Sequence, residues 1–522
     1  MSRRHDKKIS KIRHILSSRQ SPALLLVAML LYLIPARAQT ADPPAPASIA
    51  ILPRDGFNLQ VSEQVNAQYV IVTVPPPTHN WFAGAFTNLP VGVPVTIGLC
   101  MADNGLSNMP ADVSKWVGLR PVFSYADPAR YESYEWYMKD ADGRWVSGDP
   151  FNTGEARYAG AGVVPEQAVI PAEAASKFLS ADGRCWSPWR EVEGTEVLAT
   201  INVFRVKQAF DMPAATVAMR VPYTYTYLQS VIARLQQANL PGVFVDELGT
   251  TPGGRKLQII RLTDPDDPRA NQHTILATAR EHATEPAGSW VVQGMLYRLL
   301  SDEGKPLRAH RTWLLLPILD PDGSADAVYE RITDLFRKTD VPQTPPEVRQ
   351  YARYMTRYIA DGGQLDLTLS LHNVEATECT NLYCPLMDLA AIEVTSKINT
   401  ALFADLRARG YVTDDPTRSW YNGFLSFRFY AWCTKRFHAL DLVYEVNDRY
   451  PDHTLPLEQL ARMGGIIAAR LAAWCDSDTG RVWHQRAADF LAKHREQRDA
   501  YFQSRQRDPE ERTLHEMLNL GF

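Results

Sequence analysis

What most constrains the fold of this 522-residue chain is a change of hydropathy pattern near Pro222. Between residues 49 and 221, short β-type runs such as 68–74, 95–99 and 196–203 are interrupted by Pro, Gly and Asp turns, with few stretches of helical period. That pattern predicts an antiparallel β-sandwich. From residue 222 onward, strand-like runs at 243–245, 257–262, 273–278, 312–319 and 365–371 alternate with helical patterns at 227–237, 290–300 and 347–359. The later strands need cover on both faces, so the alternation predicts an α/β fold whose mixed, twisted sheet carries helices on both sides. Tyr223, Tyr225 and Tyr227 alternate and read as a half-buried strand at the junction. In such sheets ligands bind beyond the carboxyl ends of the strands.

The ends of the chain are of a different kind. Seven Lys or Arg between Arg3 and Arg19 precede an uncharged apolar stretch at 23–34 and the tripeptide Ala36-Arg37-Ala38, the three-part pattern of an export signal cleaved near Ala38. Twelve apolar residues fall short of the roughly 20 that span a bilayer, so no transmembrane segment is expected in the mature chain. The expected units are a signal peptide at 1–38, a Pro/Ala linker at 39–48, the sandwich at 49–221, the α/β domain at 222–478 and a charged, solvated helical tail at 479–522. Residues 1–38 hold eight basic side chains against one acid, so their removal takes the formal net charge from −4 to −11. A chain that acidic argues against nucleic acid or an anionic membrane as a partner. Six cysteines are too few and too scattered for a disulfide scaffold, and Cys379 and Cys384 are the pair nearest in sequence.

Four residues carry the candidate chemistry. His282 and Glu285 follow the strand ending near Thr278, and a spacing of three lets both side chains converge from one turn. Alone, that pair is a weak signal, since Glu285 also stands where a helix dipole favours an acid. His372 ends a second strand, and Glu445 lies in the apolar run 442–446. Two imidazoles and a carboxylate are a known catalytic zinc set with one position left open, and a further carboxylate supplies the base that such a site needs.

The segments around these residues resemble the zinc carboxypeptidase family typified by pancreatic carboxypeptidase A. Ala279-Arg-Glu-His282-Ala-Thr-Glu285-Pro is similar to the segment bearing its first two ligands, and Leu319-Asp-Pro-Asp-Gly323 to its Asn-Pro-Asp-Gly turn. Leu335-Phe-Arg337-Lys-Thr339 resembles an Arg-bearing element, Leu369-Ser-Leu-His372-Asn the third ligand and Val443-Tyr-Glu445-Val-Asn-Asp448 the base strand, all in the family's order. The layout, with 221–228 arriving after a β-rich region, resembles the cytosolic carboxypeptidase subfamily, where a β-sandwich precedes the peptidase. The resemblance implies the zinc carboxypeptidase fold and one Zn2+ per chain on His282, Glu285 and His372. It also implies Glu445 as general base, Arg337 as the cation that stabilises the oxyanion, and Tyr421 as the family's mobile loop tyrosine, with Tyr430 the second match.

The chain departs from the family in one place. Between 338 and 347 there is no Asn-Arg pair to grip a substrate's terminal carboxylate, and the Asp that orients the family's first His is displaced or absent, with Asp340 the nearest substitute. Asp320 replaces the usual Asn, and Arg349, Arg418 and Arg428 are the candidate substitute cations. The resemblance therefore implies zinc-dependent hydrolysis of a peptide, isopeptide or glycopeptide without implying a free C-terminus as the target. Two other readings stand beside it: a non-catalytic peptide- or glycan-binding protein on the same fold, and a zinc-dependent deacylase of amino-acid conjugates.

Overall fold

The computed structural model describes residues 48–75, 81–101, 113–125, 137–139, 145–147, 189–328, 332, 345–373, 381–383, 389–411, 433, 437–450, 453–455 and 457–493. The first strands are β1 (Ala50–Leu52), β2 (Gln60–Asn66), β3 (Tyr69–Val74), β4 (Ala83–Thr87), β5 (Pro94–Met101) and β6 (Val122–Ser124). A short pair β7 (Tyr137–Lys139) and β8 (Trp145–Ser147) follows, then β9 (Arg190–Glu191), β10 (Gly194–Leu198), β11 (Val203–Ala209) and β12 (Ala215–Ala218). They form two five-stranded sheets, ordered β1-β4-β12-β6-β9 and β10-β11-β5-β3-β2. Pairing is antiparallel except between β3 and β5, because the intervening β4 crosses to the other sheet and the chain returns in its original direction. The inner faces bury Val70, Val72 and Ile97 from one sheet against Phe86, Phe123 and Val217 from the other. At the centre of this core, the Trp116 ring lies 5.2 Å from Phe82 and 5.5 Å from Phe204. The run 196–203 is not one strand. Asn202 adopts the left-handed conformation (φ 52°), and the turn it closes returns the chain so that Leu198 pairs with Val203.

Beyond Val221 the second architecture begins with α1 (Tyr225–Ala238), which corrects the strand expected for the tyrosines. Thr224 caps this helix, its hydroxyl accepting from the Tyr227 amide at 3.0 Å, and so converts the alternating rings into a helical start. Tyr223 and Tyr227 then pack edge-on at 5.0 Å, and both touch Trp290. The remaining strands are β13 (Val243–Thr250), β14 (Lys256–Thr263), β15 (Thr274–Ala279), β16 (Thr312–Leu316), β17 (Leu365–Asn373), β18 (Asn381–Tyr383) and β19 (Leu440–Val446). They form one seven-stranded sheet, ordered β13-β14-β16-β15-β17-β19-β18. The four strands β16-β15-β17-β19 are mutually parallel, while the hairpin β13-β14 and the edge strand β18 run antiparallel to them.

The helices after α1 are α2 (Pro286–Leu300), α3 (Lys305–Arg308), α4 (Pro321–Asp326), α5 (Pro346–Ala360), α6 (Leu389–Arg407), α7 (Leu457–Cys475) and α8 (Asp478–Lys493). Alternate strand residues enter two cores. Trp313 and Leu315 join the side of α1, α2, α6 and α7, while Leu314 and Leu316 join the side of α5 and α8. The mixed sheet covered on both faces is thus as the apolar runs require. Helices α2 and α7 approach backbone to backbone, since a Cβ on Gly294 would meet the Ala461 carbonyl and one on Gly464 the Val291 carbonyl. The start of the expected solvated tail is helical, but it is docked: α8 buries Trp483 and Leu491 in the sheet's cores, and its Ala487 is buried as well. Among the described residues no helix is long and apolar enough to cross a membrane.

Candidate metal centre

β15 ends at Ala279, and Arg280 then takes a positive φ of 66°, a conformation costly for a residue with a Cβ. The turn is held from inside. The buried Arg280 guanidinium donates to the carbonyls of Ala283 and, at 2.8 Å, Tyr223. Burial lowers the Arg280 pKa to about 10, against the opposing charges of Asp55, Glu285 and Asp320. The turn ends at Glu285, the residue preceding α2, where Pro286 occupies the first helical position. Glu285 does not cap that helix with its side chain. Asn373 does so instead, its Oδ1 accepting from the Ala287 amide at 2.9 Å. The Glu285 carboxylate is thereby left for the imidazoles.

Those imidazoles arrive from two strand ends. His282 Nδ1 lies 2.8 Å from Glu285 Oε1, His372 Nδ1 lies 3.0 Å from Glu285 Oε2, and the two Nδ1 atoms are 3.2 Å apart. All three residues are buried. Donor atoms around a tetrahedral zinc are spaced by about 3.3 Å when the bonds are 2.0–2.1 Å, so a small outward shift of these side chains would admit the ion. Opposed charges dominate the electrostatics. Burial alone would raise the Glu285 pKa, but the charges and hydrogen bonds of His282 and His372 hold it well below the usual carboxylate range. Burial alone would lower that of His372, but Glu285, Glu281 and Glu445 raise it well above the ordinary histidine value.

Glu281 is the site residue that the sequence does not reveal. Its carboxylate is 2% exposed and lies 3.5 Å from His372 Nε2, on the far side of the ring from Glu285, with Ser370 Oγ at 3.1 Å from the same nitrogen. A carboxylate behind a ligating histidine fixes the ring and raises its basicity. Glu281 plays this part behind His372, not behind His282; Asp340, the substitute expected behind His282, lies outside the described residues. Glu445 stands on β19 in parallel register with His372, and paired positions in such a ladder project to the same face.

Asp320, in place of an Asn, caps α4 by accepting from the Gly323 amide at 2.8 Å. Two residues on, Asp322 accepts from Thr251 Oγ1, the Gly253 amide and Arg255 and so ties down the β13-β14 turn. Arg349 is exposed on α5. Arg337, Tyr421, Tyr430, Arg418, Arg428, Cys379 and Cys384 lie outside the described residues, as do the signal and linker at 1–47.

Residues 228–341 match the zinc carboxypeptidase family profile, a stretch that holds His282 and Glu285 but ends before His372 and Glu445. Human cytosolic carboxypeptidase 6 is 36% identical over 106 residues, 20% of this chain and 21% of that protein. Cytosolic carboxypeptidase 2 of Macaca fascicularis is 26% identical over 186 residues, 33% of this chain and 22% of that protein. The matches thus span about a fifth of the length of these curated relatives. Among solved structures, a metallo-carboxypeptidase from Burkholderia cenocepacia superposes with a TM-score of 0.59 at 16% identity, over 82% of this chain and 99% of that one. A metallo-carboxypeptidase from Pseudomonas aeruginosa in complex with (2-guanidinoethylmercapto)succinic acid gives 0.58 at 15% identity, over 81% and 98%. At such identities the superpositions show the shared fold, including the β-rich region in front of the mixed sheet. Residues 228–341 are thus similar to a zinc carboxypeptidase domain by profile, the fold is that of the metallo-carboxypeptidases, and His282, Glu285 and His372 are grouped so that they could hold a metal ion.

Proposed function

We propose that this chain is an exported zinc-dependent peptidase that hydrolyses a peptide or related amide bond. The observation that carries the proposal is the convergence of His282 Nδ1, His372 Nδ1 and the Glu285 carboxylate within 2.8–3.2 Å, with Glu445 in register beside His372. When bound, zinc supplies Lewis-acid polarisation of a carbonyl and lowers the pKa of a water to about 7. Glu445 takes the proton from the attacking water and delivers it to the leaving amine. Glu281 and Ser370 hold the His372 ring so that Nδ1 faces the ligand set. Arg337 as oxyanion donor and Tyr421 as loop phenol enter this reading on sequence resemblance alone.

The missing Asn-Arg pair motivates a substrate whose scissile bond need not adjoin a free C-terminal carboxylate, such as an isopeptide or glycopeptide. The N-terminal pattern ending at Ala38 motivates export, although the curated relatives are named as cytosolic. The units 49–221 and 222–478 are read as a sandwich domain and a peptidase domain on the change of pattern between them.

The test is a digest of a peptide, isopeptide and glycopeptide library read by mass spectrometry, comparing wild type, chelated wild type and Glu445→Gln. Cleavage confined to the untreated wild type supports the reading. Cleavage that survives both chelation and Glu445→Gln overturns it. N-terminal sequencing of the protein recovered outside the cell checks processing after Ala38, and a retained, uncleaved chain refutes export.

A further inference from the structure

We propose that His273, Asp366 and His484 form a second zinc-class metal site, which fastens α8 to the amino-terminal edge of the sheet. His273 immediately precedes β15, Asp366 is the second residue of β17, and His484 lies in α8. Three separated segments thus bring two imidazoles and a carboxylate together, with the candidate ligand atoms all within 4.8 Å of one another. The location is not that of the first centre. Asp366 and His372 share β17 but stand six residues apart, about 20 Å at 3.3 Å per residue.

Three observations point to a cation. First, His273 Nδ1 lies 3.2 Å from Asp366 Oδ2 and His484 Nδ1 lies 2.6 Å from Asp366 Oδ1, so each ring addresses a different oxygen of one carboxylate. The rings stack at 4.1 Å and 23°, a parallel arrangement that lets both Nδ1 atoms address the same group. Second, the carboxylate is buried at 5% exposure while the His273 ring is 48% exposed, which leaves a coordination position open to water. Third, His484 Nδ1 has neighbours with opposite demands. Gln364 Nε2 donates to the His484 carbonyl at 2.9 Å and lies 3.0 Å from Nδ1, where its second hydrogen requires the nitrogen's lone pair. Asp366 Oδ1, on the same nitrogen, requires a proton there. One tautomer cannot serve both; a divalent cation held by the nitrogen's lone pair would satisfy the carboxylate oxygen and leave Gln364 its bond to the His484 carbonyl. Two nitrogens, one oxygen and an open position suit zinc among the common biological divalent ions.

The alternative is a pair of imidazoles hydrogen-bonded to a carboxylate with no ion, and zinc stoichiometry separates the two. Wild type, His273→Asn, His484→Ala and His372→Ala are stripped with chelator and dialysed against zinc, and bound metal is measured per chain by mass spectrometry with folding checked by circular dichroism. The expected content is about two zinc ions in the wild type and about one in each single variant, with hydrolysis kept in His273→Asn and His484→Ala but lost in His372→Ala. Zinc added to stripped His372→Ala should raise its melting temperature by about 3 °C or more, and the further change His273→Asn should abolish the rise. His273 is half exposed, so its variant keeps the test decisive if His484→Ala fails to fold. One zinc in the wild type that is unchanged in His273→Asn overturns the second site. One zinc that is lost in His273→Asn but kept in His372→Ala upholds it and overturns the catalytic assignment instead.

Discussion

Glu445 and Glu281 are both carboxylates near His372, and their substitution separates proton transfer from ligand positioning. Glu445→Gln keeps the side chain's size and removes its basicity, so kcat should fall about 100- to 10,000-fold while zinc content at the His282 site is unchanged; steady-state kinetics with metal analysis checks this. Glu281→Gln leaves the ligands in place but weakens the hold on His372 Nε2. Zinc affinity in a competition titration with a coloured chelator should drop about 10-fold or more, with a smaller effect on kcat at saturating metal. The pH dependence follows from the same cluster. In the metal-free chain the His372 pKa is raised, so its stabilisation is complete below about pH 6.5 and is lost as pH rises through the raised value. The Glu285 pKa is depressed, so its stabilisation is present above about pH 4.3 and is lost as pH falls through the depressed value. Zinc needs a neutral His372, so the melting-temperature gap between zinc-loaded and chelated protein should widen from about pH 5 to pH 8. Of these residues, His282, Glu285, His372 and Glu445 were legible because each follows, ends or lies in an apolar run within a family-like segment. Glu281 was not, because nothing in a sequence shows that a carboxylate beside one ligand turns back to reach the other.

The packing of α2 on α7 fixes where the helix that follows Glu285 can begin. Gly464→Ala places a methyl group against the Val291 carbonyl, a backbone atom that cannot swing aside. The expected cost is about 1–3 kcal/mol, read as a lowered midpoint in urea unfolding with an unchanged slope. The helices and strands of this half were readable because long apolar runs and amphipathic periods leave few alternatives. The local failures share one physical origin: a single residue's backbone or cap outweighed the pattern around it. Asn202 folds back what Glu196 to Val203 presented as one strand, and Thr224 turns the Tyr223-Tyr225-Tyr227 alternation into a helix. For α8 the helix was plain, but the partners that bury it, Gln364 and Asp366, lie more than a hundred residues away.

Contacts between the two architectures join residues that no local pattern relates. Arg220, just past β12, donates to Asp448 at 2.7 Å, and both side chains are 2% exposed. Asp448 follows the strand that bears Glu445 and also lies 3.4 Å from Asn373 Nδ2, next to His372. Arg220→Met removes the cation and strands the buried carboxylate, so a loss of about 3–5 kcal/mol is expected in chemical denaturation. The Asn373 cap on α2 should loosen with it, and kcat should fall even where the protein remains folded. The same ion pair ties the segment that follows β12 to the segment that follows β19. A further consequence follows from the parallel pairing of His372 with Glu445. The separation of His372 from Glu445 is set by ladder hydrogen bonds rather than by a loop, so it cannot drift gradually as the protein warms. A slip of one residue would carry Glu445 to the opposite face of the sheet. Heat inactivation should therefore be abrupt and coincide with melting of the central strands, with no half-active state below it.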